Sequence, residues 1–513
     1  MRNITNMAAV ISIESDVIKM RISRVKNGEI SDIDRLENPT NIGHEVFNTN
    51  KISFESLRKI SEILKGYSKV LSEYGVTNYR VVASTALREA ENCAYVLDQL
   101  RIQNDMTVEV LEDRQEKGLI YYEIINYIES QGMSDALISY IGAGSIGFAV
   151  YEESSVKFSQ NIKMGSQKLH DLLGEIQNQT RDYHTVLEEY LDRIIGRVNF
   201  PEGRFKNNNL VITGNEIKII AKICGANSDS LGYDIDTQLI VDFYDEIRDL
   251  TTEKIMDKYS LNQHEAQLFL TSLLIYLRII KITGSNRILS PQVELWDAII
   301  KQMLIPKNKV IYDAHVKTSA INCAVVLSEL YSCDKDHREK TRKYAMEIFD
   351  KMKKVHGMGP RKRLLLELAI ILHESGYCLN SKYPRESTFD IIKNLGLYGL
   401  TSEEMILVAN IAKYDELTVP NMSDLEYSDL SQKNKLLVSK MVAIFRLANA
   451  LDKSKKQKFQ DIKARLVDQK FIIEVQSNEN VYLEKWAFNK CVPFFEDVYG
   501  VNPELNVKTT LFR

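Results

Sequence analysis

Cysteine, proline and tryptophan are scarce in this chain of 513 residues, with 6, 9 and 2 copies respectively. The cysteines are scattered and form no CxxC pair, which excludes a disulfide-stapled scaffold and favours thiols in a reducing cytoplasm. No apolar run reads as a bilayer-spanning helix, and acidic residues follow the short apolar N-terminal piece. The sequence therefore predicts neither a signal peptide nor a membrane partner.

An excess of charge of one sign is also missing. The chain has 66 basic and 70 acidic residues, which gives a net charge of −4. This balance lacks the basic signature of a nucleic-acid-binding protein, so we expect no specific nucleic-acid partner. A local basic patch on such a protein is still able to bind a polyanion. The hydrophobic content of 44% is ordinary for a globular protein, and the length predicts several domains.

Strands and helices alternate in the N-terminal part of the chain. Residues 8–13 and 17–25 read as strands, whereas residues 53–74 place apolar side chains at helical spacing. Beyond residue 306 long amphipathic helices follow one another as far as residue 454. The tail returns to two short strands and a helix. The pattern predicts an α/β protein followed by a helical domain and a small α/β domain.

The most informative stretch is a glycine-rich loop between two predicted strands, Ser-Tyr-Ile-Gly-Ala-Gly-Ser at residues 139–145. Gly142 and Gly144 can adopt positive φ, and the small residues leave the backbone open to a large anion. Successive main-chain N–H groups in such a loop form an anion nest, which suits phosphate. Tyr140 stands where a phosphohydrolase would carry a carboxylate. An ordinary tight hairpin is the alternative interpretation of the same glycines.

A second candidate phosphate contact lies where a predicted strand passes into a helix, at residues 82–90. Ser84 and Thr85 are residue types that cap helices. Arg88 follows close to the helix N-terminus, and its planar donor fork suits a phosphate group. The alternative is a capped surface helix with a solvated arginine.

A third candidate is the helix start at Gly165 and Ser166, because the N–H groups of a helix N-terminus attract anions. Lys168 adds a positive charge within the first turn of this helix. A helix that is merely capped by Ser166 would have the same sequence.

Together these segments resemble the exopolyphosphatase/guanosine pentaphosphate phosphohydrolase (Ppx/GppA) family over nearly the whole chain. The resemblance implies two actin-like lobes of the sugar kinase and Hsp70 type, at residues 1–128 and 129–306. It further implies an all-α HD-like domain at residues 307–456 and a small C-terminal α/β domain at residues 457–513.

The reaction that the resemblance implies is hydrolysis of a terminal phosphoanhydride. The substrate would be inorganic polyphosphate or guanosine pentaphosphate, and orthophosphate would be released. Glu116 stands at the position of the proposed general base of the family, because a carboxylate beside bound phosphate can orient or deprotonate water. A glutamate favoured by the dipole of its helix is the alternative. The phosphate-binding residues would be Arg88, Gly142, Gly144, Ser145, Gly165, Ser166 and Lys168.

The chain departs from the family at both phosphate loops. Ser12 and Glu14 replace the aspartate and the glycine of the first loop, and a carboxylate there repels phosphate unless a cation intervenes. Tyr140 and Gly147 replace the aspartate and the glutamate of the second loop. Those two carboxylates would hold Mg²⁺, which needs hard oxygen ligands. The resemblance thus implies a Mg²⁺ cofactor, whereas the replacements argue against it.

The helical part has the remnant of an HD-type metal site in His337, His373 and Glu374. Asn449 stands where the last aspartate of such a site belongs, and a neutral amide is a weak ligand. We therefore expect no bound metal and a buried polar cluster with a structural role. The lysine-rich run at residues 453–458 is either a solvated linker or an electrostatic guide for a polyanion.

Two functional hypotheses follow. The first is a divergent exopolyphosphatase-like hydrolase with altered use of metal. The second is a catalytically impaired family member that binds polyphosphate or alarmone nucleotides as a sensor or scaffold. A homodimer is a further expectation that rests on the resemblance alone.

Overall fold

The structure of the protein is a computed structural model that describes residues 6–177, 179–180, 182–200, 209–214, 216–228, 231–380 and 382–508. The chain divides into two compact units, Met1–Ser319 and Ala320–Arg513. The division into four domains at residues 128, 306 and 456 stays a prediction.

The elements of the first unit follow in chain order. Its strands are β1 (Met7–Ile13), β2 (Val17–Lys26), β3 (Glu29–Pro39), β4 (Tyr79–Ala83), β5 (Val108–Val110), β6 (Asp135–Ile141), β7 (Ile146–Glu152), β8 (Ser155–Ile162), β9 (Leu210–Gly214), β10 (Asn227–Ser228), β11 (Gly232–Asp236) and β12 (Arg287–Pro291). Its helices are α1 (Ile42–Thr49), α2 (Phe54–Glu73), α3 (Thr85–Glu89), α4 (Cys93–Asn104), α5 (Asp113–Ser130), α6 (Ser166–Gln177), α7 (Tyr183–Ile195), α8 (Ile217–Ile223), α9 (Thr237–Ile247), α10 (Thr252–Tyr259), α11 (Gln263–Thr283) and α12 (Leu295–Leu304), and α13 (Pro306–Leu330) follows.

The first sheet has the order β3-β2-β1-β4-β5, with β1 antiparallel to β2 and parallel to β4. Alternate residues of β1 from Ala9 to Ile13 join the core that α2 covers, and α12 packs against β1 from late in the chain. Because both faces are covered, this strand is buried almost throughout, as its apolar sequence requires. Helix α2 begins where Ser53 accepts a hydrogen bond from the main-chain N–H of Ser56.

The second sheet has the order β10-β11-β12-β9-β6-β7-β8, with β6 antiparallel to β7 and parallel to β9. Helix α11 has the length and composition of a membrane-spanning helix, which corrects the expectation that no stretch is apolar enough. Phe269, Leu273 and Tyr276 of this helix are nevertheless fully buried in the core of the sheet. The helix packs against α6, α7, α9 and α10, so its apolar residues have partners within the protein.

Several predicted elements are confirmed and others need correction. The strands predicted at 8–13 and 17–25 and the helix at 53–74 are present as β1, β2 and α2. Strands β3 and β12 were not predicted. Neither Gly142 nor Gly144 is among the glycines with positive φ, so the expectation that this loop uses left-handed glycines is wrong. Close packing against Thr85 explains Gly144 instead.

The second unit contains the predicted helices and a small sheet. The helices are α14 (Lys335–Lys351), α15 (Lys353–His356), α16 (Pro360–Leu372), a 3₁₀ helix (Ser375–Cys378), α17 (Pro384–Asn394), α18 (Ser402–Ala412), α19 (Leu425–Ser428), α20 (Gln432–Ala450) and α21 (Tyr482–Tyr499). Strands β13 (Ile462–Val467), β14 (Lys470–Gln476) and β15 (Asn502–Lys508) form a sheet in that order. The last strand, which was not predicted, pairs in parallel with β14.

Candidate active site

A cavity of about 930 Å³ in the first unit brings together the two loops that the sequence analysis singled out. The β1–β2 turn contributes Glu14 to Asp16, and the β6–β7 loop contributes Gly142, Ala143 and Ser145. Strand β1 is central in the first sheet, and β6 lies inside the second sheet between β9 and β7, so both turns follow internal strands and line one cavity.

The β6–β7 loop is held by its main chain. The N–H of Gly142 donates to the carbonyl oxygen of Ser145 at 3.0 Å. The N–H groups of Ser166 and Lys168, at the start of α6, donate to the carbonyl oxygens of Gly142 and Ala143 at 3.1 Å each. These two N–H groups of the helix are therefore occupied by the loop. In the described part of the chain, the N–H groups of Ala143, Gly144 and Ser145 have no such acceptor.

Two glycines permit this packing. A Cβ atom on Gly165 would lie 2.1 Å from the carbonyl oxygen of Gly142, so only glycine lets α6 approach the loop. A Cβ atom on Gly144 would lie 2.3 Å from Cγ2 of Thr85 in the first sheet's half of the unit. Gly144 thus faces protein, whereas Gly142 and Ser145 line the cavity.

Glu116 lies on the cavity wall and is held by Arg88. The Arg88 guanidinium donates to Glu116 Oε2 at 3.1 Å and to the carbonyl oxygen of Leu111 at 2.6 Å. It also donates to Thr85 Oγ1 at 2.8 Å, and this bond replaces the helix capping that was expected of Thr85. Arg88 is not among the residues that line the cavity. Its visible role is to fix the Glu116 carboxylate.

A buried lysine that the sequence analysis missed lies behind the loop. Lys117 is 1% exposed, and its ammonium forms an ion pair with Asp113 and donates to Ser145 Oγ at 2.5 Å. Ser145 Oγ in turn donates to Asp113 Oδ1 at 2.8 Å, and Asn161 donates to Oδ2 at 2.6 Å. Burial alone would raise the pKa of Asp113, but Lys117 and these hydrogen bonds lower it below the usual range. The i, i+4 spacing of Asp113 and Lys117 was the available signal.

The cavity lining is acidic. The lining carboxylates are Glu14, Asp16, Glu37, Glu116, Asp171, Glu216, Glu265 and Glu294. Lys19 and Lys218 also line it, but both donate to Glu294, at 2.9 and 2.8 Å. Burial raises the pKa of Glu14 to about 7 against the lowering effect of Lys19, and burial also raises the pKa of Glu216 to about 7.

The remaining predicted phosphate contacts are engaged by protein. Ser166 Oγ donates to Glu216 Oε1 at 2.9 Å, and the Lys168 ammonium donates to Glu89 at 2.6 Å. Of the predicted site residues, Glu116, Gly142 and Ser145 line the cavity. The other five predicted residues do not line the cavity and contact the residues that do, or their neighbours: Arg88, Gly144, Gly165, Ser166 and Lys168.

The donor set beside the second loop does not fit Mg²⁺. Burial raises the pKa of the Tyr140 hydroxyl well above its ordinary value, so this hydroxyl is no anionic ligand. Gly147 offers no side chain, and the Asp113 carboxylate is satisfied by Lys117, Ser145 and Asn161. Among the described residues, the one group of three potential metal ligands within 4.8 Å of one another is in the second unit.

That group is His337, His373 and Glu374, and its atoms have protein partners. The two ring nitrogens of His337 lie 2.8 Å from Asp452 Oδ2 and 2.9 Å from Asn449 Oδ1. Nδ1 of His373 lies 2.6 Å from the carbonyl oxygen of Ile370. Glu374 accepts from the main-chain N–H of Asp334 at 2.9 Å and from Lys455. Both ring nitrogens of His337 and both oxygens of Glu374 are thus engaged by protein, whereas His373 is engaged through Nδ1 alone.

The lysine-rich run also has internal partners. Lys453, Lys455 and Lys458 pair with three buried glutamates, Glu416, Glu374 and Glu484 respectively. These pairs neutralise most of the charge that would guide a polyanion. They fix the segment between α20 and β13 to the helical part of the unit.

Sequence comparison places this chain among phosphatases. The profile of the Ppx/GppA phosphatase family matches residues 21–291, and that of Ppx/GppA phosphatase domain III matches residues 321–490. Guanosine-5'-triphosphate,3'-diphosphate pyrophosphatase from Aeromonas hydrophila is 21% identical over 78% of this chain and 79% of its own length. The protein of the same name from Vibrio parahaemolyticus is 20% identical over 79% and 80%.

Comparison of structures agrees on the fold. An exopolyphosphatase from Cytophaga hutchinsonii aligns with a TM-score of 0.50 at 15% identity, over 58% of this chain and 97% of its own. A Ppx/GppA family member from Aquifex aeolicus has a TM-score of 0.49 at 19% identity, over 59% and 98%. The two sheets of the first unit with their helices are two actin-like lobes, and a helical region and a three-stranded sheet follow. Since the family profile spans more than half of its length, the chain belongs to the Ppx/GppA phosphatase family.

Proposed function

We propose that the protein binds the end of a phosphoanhydride chain in the cavity and hydrolyses the terminal anhydride with release of orthophosphate. The substrate is inorganic polyphosphate or guanosine pentaphosphate. The observation that carries this proposal is the Glu116 carboxylate, which lies on the cavity wall 3.1 Å from Arg88. It shares the cavity with a loop whose main-chain N–H groups have free hydrogens. The names of the two bacterial relatives, both guanosine-5'-triphosphate,3'-diphosphate pyrophosphatases, support the substrate class.

The proposed chemistry uses this chain's own groups. Glu116 accepts a hydrogen bond from a water molecule, whose oxygen attacks the terminal phosphorus. The bond from that phosphorus to the bridging oxygen breaks, and the bridging oxygen stays on the shortened chain. One water proton remains on orthophosphate, and Glu116 receives the other and passes it to solvent. The N–H groups of Ala143 and Ser145, which line the cavity, stabilise the phosphoryl oxygens.

The acidic lining gives this proposal a pH dependence. Protonation of Glu14 and Glu216, whose pKa values burial raises to about 7, removes two negative charges that face the ligand. The affinity for a phosphate chain should therefore fall as the pH rises through 7. A titration with tripolyphosphate between pH 6 and 8 measures this dependence.

The second candidate is a binding protein without turnover. Arg88 already has three protein acceptors, and the Ser145 hydroxyl donates to Asp113. Neither side chain is therefore free to donate a hydrogen bond to the phosphoryl group in the transition state. In this case the cavity binds polyphosphate or an alarmone nucleotide as a sensor or scaffold. We also propose that the helical region is an HD-like domain with a structural role, because His337 and Glu374 are satisfied by protein.

A phosphate-release assay separates the two candidates. Tripolyphosphate, long-chain polyphosphate and guanosine pentaphosphate are offered to the wild type and to Glu116→Gln. The matched control is Glu62→Gln on the solvent-facing side of α2, where the side chain is 68% exposed. A loss on the order of a hundredfold in Glu116→Gln alone supports the hydrolase. Calorimetric binding without release supports the sensor, and absence of both binding and release in the wild type refutes both.

A further inference from the structure

A steric conflict links Lys117 to the glycine that stands in place of the second loop's glutamate. A Cβ atom on Gly147 would lie 2.5 Å from both Cδ and Cε of Lys117, and 2.1 Å from the hydroxyl of Tyr121. Real Cβ atoms do not approach other atoms so closely. A glutamate at position 147 and the observed Lys117 side chain therefore exclude each other. The chain has a buried ammonium where it lacks the loop carboxylate.

The surroundings of this ammonium are those of a bound cation. Lys117 contacts the Asp113 carboxylate and the Ser145 hydroxyl, and its Nζ lies 5.9 Å from the ring centroid of Tyr140. An anionic oxygen, a neutral oxygen and an aromatic face all stabilise positive charge. Tyr140 is itself the replacement of the other loop carboxylate. Both replaced positions thus adjoin the same lysine.

The charge of this group is balanced without an added ion. The one positive charge of Lys117 is matched by Asp113, whose charged form is also held by hydrogen bonds from Ser145 and Asn161. A divalent ion at the same place would lie beside a fixed ammonium and would find the Asp113 carboxylate already bonded. Desolvation of a divalent ion under these conditions is unfavourable.

We propose that the Lys117 ammonium is a resident cation that replaces the divalent metal beside the β6–β7 loop. Phosphate chains then bind at this loop without Mg²⁺. The second statement rests on the proposed function, whereas the first does not. Because Ser145 Oγ donates to Asp113, the loop meets its ligand through main-chain N–H groups, and Lys117 holds the loop from behind.

The first experiment measures Mn²⁺ binding to the ligand-free protein by electron paramagnetic resonance. It compares a parent protein with the triple variant Lys117→Ala/Tyr140→Asp/Gly147→Glu of that parent, after circular dichroism has verified folding. The parent is the chain with His373→Ala, a substitution that removes the ligand group of the second unit. We expect binding near one Mn²⁺ per chain in the triple variant and well below one in its parent. Stoichiometric Mn²⁺ in the parent would overturn the proposal.

The second experiment measures tripolyphosphate binding by calorimetry, in Mg²⁺ and in EDTA. The wild type should bind equally in both, and Lys117→Met should lose about tenfold or more in affinity in both. Lys117→Met/Asp113→Asn removes both charges together, so that no unpaired buried carboxylate impairs folding. The control Lys157→Met removes a lysine whose side chain is 14% exposed and which pairs with Glu153 outside the cavity.

The outcomes distinguish the two proposals. Binding that requires Mg²⁺ in the wild type, or that survives unchanged in both Lys117 variants, overturns the resident cation. If the wild type binds no tripolyphosphate in either buffer, the proposed function fails. The Mn²⁺ comparison then tests by itself whether the Lys117 ammonium replaces the divalent metal.

Discussion

The cavity of the first unit and the histidine cluster of the second unit both resemble catalytic sites in sequence, but they differ in how their polar atoms are satisfied. In the cavity, Nδ1 of His170, Oδ2 of Asp171 and Oε2 of Glu216 are buried without a partner among the described residues. In the cluster, none of the polar atoms of His337, His373 or Glu374 is in that state. Unsatisfied polar atoms around an open space indicate a place for a ligand, whereas a cluster in which both nitrogens of His337 and both oxygens of Glu374 are bonded indicates structure.

The largest expected effect is a difference in the free energy of unfolding between a variant of the cluster and a variant of the cavity. His337→Ala removes the partner of two buried groups, Asp452 and Asn449. The buried Asp452 carboxylate then keeps hydrogen bonds from Gln457 alone, and the lost pairing should cost about 3 kcal/mol, which urea denaturation of the full chain measures. His170→Ala in the cavity breaks no such bond and should change the free energy of unfolding by less than about 1 kcal/mol. Equal losses would show that the cluster has no special structural role.

A smaller effect of opposite sign is expected in the cavity. The pKa of Glu216 is about 7 in the folded chain, above the ordinary value of 4.5. The neutral form is therefore favoured by folding, and its contribution is complete below pH 4.5 and lost as the pH rises through 7. Glu216→Gln should accordingly stabilise the protein at pH 8 by about 1–3 kcal/mol and leave it unchanged near pH 4.

The measurement for this prediction is the denaturation midpoint across that pH range. The control is Glu62→Gln on α2, where the side chain is 68% exposed. A flat difference between wild type and Glu216→Gln from pH 4 to 8 would contradict the raised pKa.

The smallest effect concerns the lysine-rich run. Lys455→Ala leaves Glu374 with one partner fewer and should lower the free energy of unfolding by about 1 kcal/mol. Lys456→Ala, at an exposed position, should leave the free energy of unfolding unchanged. Neither variant should weaken tripolyphosphate binding. A parallel loss of affinity in both would restore the run as a guide for polyanions and would weaken the contrast between the two units.

Local features of the sequence predicted much of this fold. Helices α2 and α18 follow from apolar spacing and from the side-chain caps Ser53 and Thr401. Strand β3 was missed because its side chains are mostly exposed and polar, so no alternation with a buried face marks it. Pro306 begins the long helix α13, a position where proline is favoured, and the domain border predicted at this residue stays a prediction.

The candidate site was predictable only in part, because its contacts are distant in the sequence. The loop at 142–145 and Glu116 were found from residue types and from the resemblance. The pairing of Lys117 with Ser145 joins positions 28 residues apart, and only the packing of α5 under the loop reveals it. A positive φ was predicted for the loop residues Gly142 and Gly144. In the structure, close approach by Thr85 explains Gly144, and close approach of α6 to the loop explains Gly165.

The anchoring of the β6–β7 loop by α6 has a consequence for how this protein can drift in evolution. The groups that the loop offers to a ligand are main-chain N–H groups, which every residue except proline has. Substitutions such as those at positions 140 and 147 can therefore remove acidic side chains while the recognition surface persists. A saturation mutagenesis library should tolerate many residues at Ala143 but almost none at Gly165, whose Cβ would strike the loop.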